Sequence, residues 1–255
     1  MAYKVGRGTY GVVNKVRSNR DGCIYCMKKV KCGHLSSQRQ KEVMSEVSML
    51  KSMKHPHIIG YITSFMEKHS LYIIMEFAAK GDLGKIYEDH KLRKLHIPEQ
   101  FLWRVLCELS LALHHLHSNR IIHRDIKIVN VFLDHNNTIK LGDLGVSRVL
   151  QGEEEMAESR VGTPLYLAPE LIRRQPYHFK ADVWALGVLM YTLSALRGPF
   201  VGENIYVLGE SILHEEPRAL PGSYSRSMRD LIRSMLLKDP SDRPTIVREV
   251  DVANS

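Results

Sequence analysis

The run Ile121-Ile122-His123-Arg124-Asp125-Ile126-Lys127-Ile128-Val129-Asn130-Val131-Phe132-Leu133 is followed by a polar turn from Asp134 to Asn137. A second short apolar run, Thr138 to Leu141, then leads into Gly142-Asp143-Leu144-Gly145. Two β-prone runs separated by a turn predict a hairpin, with Val131 to Leu133 against Ile139 to Leu141. That pairing brings Asn130 and Asp143 side by side at its open end. Their side-chain oxygens are of the kind Mg²⁺ accepts, with bound phosphates completing its octahedron. Asp125, five residues before Asn130, is within reach of a hydroxyl nucleophile, and Lys127 is suited to neutralise charge on a transferred group. The plain alternative is a loop of satisfied polar turn residues, and the rest of the chain decides between them.

Upstream, Gly6-Arg7-Gly8-Thr9-Tyr10-Gly11-Val12-Val13 is a G-x-G-x-x-G run whose glycines let backbone amides approach a polyphosphate. A dinucleotide-binding fingerprint would need a helix directly after the glycines and an acidic residue some twenty positions on. Here a strand hairpin is predicted, and the residue 17 positions after Gly11 is Lys28. Alternation along Tyr25-Cys26-Met27-Lys28 sets Lys28 on the face of Cys26, beneath the glycine hairpin. A helix opening at Ser37, with Gln40 at capping-box spacing, presents Val43, Val47 and Leu50 on one face, and Glu46 falls on that same stripe. A carboxylate on a core-facing stripe wants a cation. Pairing Glu46 with Lys28 satisfies both and holds the ammonium toward phosphates.

The 255 residues are 44% hydrophobic and 25% charged, which excludes disordered, collagenous and small disulfide-stapled classes. Lys and Arg number 36 against 28 Asp and Glu, a net charge of +8. Residues 1–78 hold 13 basic and 5 acidic side chains while residues 79–255 hold 23 of each, so the excess belongs to the first third. Val183 to Leu196 is apolar but too short to cross a bilayer, and reads as a buried core helix. The opening MAYKVGRG lacks a secretory apolar region, which makes reducing cytosol the expected compartment. Cys23, Cys26, Cys32 and His34 resemble a zinc set, but positions three apart on a strand point to opposite faces and cannot close on one metal. The His114, His115, His117 cluster reads as helix-surface histidines.

The texture changes near residue 78. Short β-like runs (Val12 to Val16, Cys23 to Val30, Ile58 to Phe65, Leu71 to Phe77) give way to helical patterns from Phe101 to His117, Asp182 to Leu196 and Ser227 to Leu237. The pattern is a small β-rich lobe followed by a larger helical lobe, with the chemistry in the cleft between them.

Taken together, the Gly6 to Val13 loop, Lys28, Glu46, HRDIKIVN (123–130), DLG (143–145), GTPLYLAPE (162–170), DVWALG (182–187) and Arg243 in SDRP resemble a eukaryotic protein kinase over essentially the whole chain. The resemblance implies an α+β bilobal fold: an N-lobe over 1–75 with a truncated first strand, a hinge at 76–80, and a C-lobe over 81–255 with a clipped last helix. It implies ATP and Mg²⁺ as cofactors. Catalytic roles fall to Asp125, Lys127, Lys28 and Glu46. ATP is held by Gly6, Arg7, Gly8, Thr9, Tyr10, Gly11, Val13, Cys26, Lys28, Met75, Glu76, Ala78, Asp82 and Phe132, with Met75 as gatekeeper, Glu76 to Ala78 as adenine hinge and Phe132 as adenine floor. Mg²⁺ falls to Asn130 and Asp143, a structural strut to Glu170 and Arg243, and a further structural position to Asp182.

Lys127 and Gly162-Thr163-Pro164 resemble the Ser/Thr branch, and GDLGVSRVL with YHFKADVWALG is most like the NIMA-related kinases. Ser159 sits where those kinases carry an activating phosphate, with Arg124 as the nearest cation and Thr163 beside the catalytic aspartate. Val146 leans acceptor choice toward Thr. Cys26 stands where alanine is usual, Tyr25 where a small aliphatic residue is usual, and Leu144 where Phe is commoner. A pseudokinase-type scaffold would share this fold but lack one of Lys28, Asp125, Asn130 or Asp143, and all four are present. A nucleic-acid module would need a basic stripe with interleaved aromatics, which is not evident in a chain 7% aromatic. The expected partners are protein substrates with Ser or Thr acceptors and ATP, with no nucleic acid and no membrane span. The family resemblance adds centrosome or basal body, cilium or flagellum to the cytoplasm as expected locations.

Overall fold

The computed structural model describes residues 2–8, 11–33, 36, 38, 43, 47, 51, 53–143, 164–176 and 178–246. Five strands form an antiparallel sheet: β1 Ala2–Gly8, β2 Gly11–Arg17, β3 Ile24–Lys31, β4 Tyr61–Glu67 and β5 Ser70–Glu76, in the spatial order β1-β2-β3-β5-β4. Alternation works as expected on β3. Lys28 and Val30 turn inward and are buried, while Lys29 and Lys31 turn outward. Under the inner face Val30, Cys32, Val43, Val47, Leu71 and Ile73 make a small core of their own. Val43 and Val47, two residues of the expected apolar stripe, are buried here, while Ser37, Gln40 and Leu50 lie outside the described residues. The strand expected from Ile58 starts later, at Tyr61. Ile58 is instead a buried bridge to Leu141, so it joins the two sheets rather than extending one.

Past the sheet, a second, three-stranded sheet combines β6 Gly81–Asp82, β7 Val131–Leu133 and β8 Ile139–Leu141. The expected hairpin is present with Val131 opposite Leu141 and Leu133 opposite Ile139. Its turn is held by Asp134, whose carboxylate accepts the amides of Asn136 at 2.8 Å and Thr138 at 2.9 Å. The helices are α1 Leu83–Arg93, α2 Glu99–Ser118, the short α3 Pro169–Ile172, α4 Phe179–Ala195, α5 Ile205–His214 and α6 Arg226–Met235. A β-rich part followed by a helical part is the mixed architecture anticipated from the sequence.

Helix α4 is buried from Ala181 through Ser194, so the apolar stretch is a core helix as its length required. With no polar face, its Thr192 and Ser194 hydroxyls donate back to the carbonyls of Val188 at 2.7 Å and Met190 at 2.8 Å. Gly187 lets α6 approach closely, since a Cβ there would lie 2.8 Å from Met235 Cβ. Among the described residues no helix is long and apolar enough to cross a membrane, and none gathers three metal-ligating side chains. The helix expected at the chain's end begins at Ile246, and residues 247–255 lie outside the described ones.

The histidines of α2 correct the surface reading. Only His114 is exposed. His115 stacks on His55 at 5.0 Å between ring centroids, and His117 donates into the core. Around His55 lie His57 on its own loop, His115 on α2 and Lys140 on β8, while Glu108 on α2 pairs with His57 at 3.2 Å. Burial first, and then these neighbouring cations, hold the His55 pKa below the usual 6.5. The unfolded chain therefore binds the proton more readily, and stability is lost as pH falls through 6.5 toward the lower native value. The denaturant midpoint is expected to drop between about pH 7 and pH 5.5, and this component should vanish in His55→Gln. An unchanged pH slope in that variant would assign the loss to other groups.

Candidate active site

The 121–133 segment is anchored from below by Asp182, a fully buried carboxylate on α4. It accepts the amides of His123 at 2.8 Å and Arg124 at 2.9 Å, and the His117 ring nitrogen at 2.9 Å. A buried carboxylate needs this many donors to remain in place. His123, also buried, links the two halves of the site. Its Nδ1 accepts the Asp125 amide at 3.3 Å and its Nε2 lies 3.0 Å from the Gly142 carbonyl. The tautomer is thereby assigned as Nε2–H. Arg124 and Asp143 both take left-handed backbone, φ 69° and 60°, a conformation that non-glycine residues adopt at a cost and that surrounding bonds must enforce.

On this frame Lys127 Nζ donates to both Asp125 oxygens at 2.8 and 2.9 Å. Asn130 closes a short 3-10 turn, Ile128–Asn130, and its Nδ2 donates to the Asp125 carbonyl and to Asp125 Oδ2, each at 2.8 Å. With its amino group engaged inward, the Asn130 side chain has its amide oxygen as the atom that could bind a cation. The Gly142 amide donates to the Asn130 carbonyl at 2.9 Å, which puts Asp143 directly beside Asn130 as the hairpin predicted. Lys28 forms an ion pair with Asp143 from across the cleft; the ammonium is 3% exposed and the carboxylate 32%. An aspartate and an amide oxygen converge next to a lysine, so the donor set fits a divalent cation carrying phosphates.

Strand register places several of the remaining expected residues. Cys26 lies opposite Met75 and next in register to Lys28 opposite Ile73, while Val13 faces Lys28 on β2. Burial, aided by the Asp143 carboxylate, pushes the Cys26 thiol up to about 11, so it is a packing group rather than a nucleophile. Phe132 faces Asp82 across β6 and β7. At Gly142 a Cβ would lie 2.7 Å from Phe132 Cε2 and 3.1 Å from Ile59 Cγ1. Gly142→Ala is therefore expected to push Phe132 into the cleft, costing about 1–3 kcal/mol of stability and weakening nucleotide binding; a melting curve and calorimetric titration with ATP check both. Glu76 is tied down on the far side. Its carboxylate accepts the Gly60 amide at 3.1 Å and Lys140 Nζ at 3.0 Å. The Ala78 carbonyl accepts the Gly81 amide at 3.3 Å. Glu170 and Arg243 form the expected strut, a bidentate pair at 2.8 Å with both side chains buried.

The backbone of Gly6, Arg7, Gly8 and Gly11 forms the β1–β2 hairpin, with Gly8 opposite Gly11. Thr9, Tyr10, Glu46, Ser159 and Thr163 lie outside the described residues, so the Lys28–Glu46 pair is not among the contacts seen. Sequence reasoning missed His123, His117 and the Lys140 partner of Glu76. His123 carried a signal, its place directly before Arg124-Asp125, but its second ring partner, the Gly142 carbonyl, lies 19 positions further along the chain.

A family profile for the protein kinase domain matches residues 1–252. The chain belongs to the protein kinase family. This kinase is 38% identical over 243 residues to mouse serine/threonine-protein kinase Nek4, covering 95% of the chain and 30% of that protein. It is 35% identical over 251 residues to human serine/threonine-protein kinase Nek2, covering 96% of the chain and 56% of the relative. The G2-specific protein kinase nim-1 of Neurospora crassa is 31% identical over 269 residues, 94% of the chain and 31% of the relative. The kinase thus spans from about a third to just over half the length of these relatives. Their names agree with the Ser/Thr and NIMA-related resemblance of its motifs.

Proposed function

We propose that this kinase transfers the γ-phosphoryl group of Mg·ATP to serine and threonine hydroxyls of proteins, in the manner of a NIMA-related kinase. The observation that carries the reading is the closed cluster of Asp125, Lys127 and Asn130 set beside Lys28 and Asp143. The acceptor hydroxyl oxygen forms a bond to the γ-phosphorus as the bond to ADP breaks, and Asp125 takes the hydroxyl proton. Lys127, already on that carboxylate, offsets charge on the transferred group. Lys28 meets the α- and β-phosphates, with Glu46 as its expected support. Asn130 and Asp143 would hold Mg²⁺, which when bound neutralises phosphate charge. Cys26, Val13, Met75, Phe132 and the hinge around Glu76 to Ala78 enclose the adenine, with Asp82 at the cleft edge and the Gly6 to Gly11 loop over the phosphates.

The test is transfer of ³²P from Mg·ATP to casein, with Lys28→Met as control. Transfer unchanged in the control would refute the site, and retained ATP binding without any transfer would favour a scaffold of the same fold. Ser159 is proposed as an activating phosphosite, with Arg124 receiving the added charge of about −1.5 to −2. Ser159→Ala is expected to lower transfer while leaving ATP affinity intact; equal turnover by phosphorylated and dephosphorylated protein would sink the switch. The likeness to a kinase named as G2-specific supports a cell-cycle setting, and the NIMA-related motifs support the centrosome or cilium as its place of action.

A further inference from the structure

The five-stranded sheet has a second face that the active site does not use. One row across it runs Val12, Lys29, Tyr72, Phe65, each opposite the next in register through β2, β3, β5 and β4. The neighbouring row includes Met27 opposite Ile74. None of these six side chains is buried, and Phe65 is 44% exposed. Phe65 and Tyr72 stack with centroids 5.1 Å apart and planes 8° from parallel, and Lys29 Nζ lies 5.1 Å over the Tyr72 ring. The rings and the ammonium are thus held in fixed positions before anything binds, which lowers the entropic cost of engaging a partner.

The charge of this face is predominantly positive. Lys31 follows Lys29 on the same side of β3, and Lys68 stands exposed at the β4–β5 turn. The nearby carboxylates are largely engaged: Asp21 accepts the Cys23 amide at 2.8 Å and the Tyr25 hydroxyl at 2.9 Å, and Glu76 is turned onto Gly60 and Lys140. Glu67, at the end of β4, is exposed on this side. Three of the 13 basic residues of 1–78, Lys29, Lys31 and Lys68, therefore border an apolar aromatic strip. A hydrophobic centre with a charged rim is the anatomy of a protein interface, and the sign of the rim selects the partner.

We propose that the outer face of the five-stranded sheet docks an acidic protein segment carrying an aromatic or large aliphatic side chain. The apolar side chain lies on the Tyr72–Phe65 stack, and flanking carboxylates meet Lys29, Lys31 and Lys68. Docking on this side leaves the nucleotide cleft open, so the segment and ATP bind together.

The probe is a fluorescein-labelled peptide of about a dozen residues, glutamates around a central Phe, followed by fluorescence anisotropy with the whole chain. Binding is expected at about 10–100 µM in low salt, weakening at least about fivefold as salt rises to about 0.5 M. Lys29→Glu and Lys31→Glu should each abolish it. Phe65→Ser should weaken it while leaving the salt dependence in place, and saturating Mg·ATP should not displace the peptide. Absence of binding at about 1 mM peptide, equal binding by Lys29→Glu, or displacement by Mg·ATP would overturn the proposal. So would tighter binding of a single-stranded oligouridylate with the same lysine dependence, since stacked rings beside lysines are also how sheets hold single strands.

Discussion

Asp125→Asn is expected to lower phosphoryl transfer by about a thousandfold, within the range assigned to general-base catalysis, while leaving ATP binding and the melting temperature nearly unchanged. The two Asp125 oxygens receive Lys127, and one also receives Asn130. An asparagine retains the shape and one acceptor oxygen but cannot take a proton. About a thousandfold corresponds to roughly 4 kcal/mol of barrier, far more than the loss of one hydrogen bond in a carboxylate that is 39% exposed. Asp125→Ala should lose the same activity and in addition loosen Asn130, so its affinity for nucleotide should fall further. Single-turnover ³²P transfer, calorimetric ATP titration and thermal melting separate the two variants. If Asp125→Asn retained its transfer rate, Asp125 would not be the proton acceptor and the proposed function would lose its central residue.

Glu170→Ala is expected to produce the largest loss of stability, about 3–5 kcal/mol, because it leaves a guanidinium buried without its carboxylate. Arg243 is 2% exposed and lies 5.0 Å over the Trp184 ring. Its other donors reach the carbonyls of Leu237 at 2.8 Å, Lys180 at 2.9 Å and Lys238 at 3.1 Å. Those dipoles soften but do not replace a bidentate charge. A chain of this size should melt about 10 °C lower. The exposed pair Arg226–Asp230, 90% and 66% exposed, provides the contrast. Removing it should cost less than about 0.5 kcal/mol. A Glu170→Ala protein that melts with wild type would mean that water reaches Arg243.

The sequence carried most of the catalytic segment because its signals are local. A turn from Asp134 to Asn137 between two β-prone runs specifies the hairpin, and the hairpin specifies that Asn130 and Asp143 meet. Likewise the inward position of Lys28 follows from strand alternation alone, and the burial of α4 from a stretch with no polar face. The Gly6 to Val13 loop, Lys28, Glu46, HRDIKIVN, DLG, GTPLYLAPE, DVWALG and Arg243, taken together, carried the resemblance to a kinase. Of the three α2 histidines, His114 is at the surface as expected, and His115 and His117 were misread for the opposite reason. On a helix pattern they look like surface positions, and their partners are distant: His117 meets Asp182 65 positions away, and His115 stacks on His55.

Contacts between remote segments have no local signature, since periodicity and turn chemistry act over a few residues and packing acts over any separation. The ion pair of Lys28 with Asp143 spans 115 positions, and the amide of His123 reaches Asp182 across 59. Which carboxylate Lys28 meets, which side chain holds the 121–133 segment in place, and that Phe65, Tyr72 and Lys29 lie in one row are outcomes of how two sheets and a buried helix pack. The residue types and their spacing specify the chemistry available to this chain; packing specifies which of those groups touch.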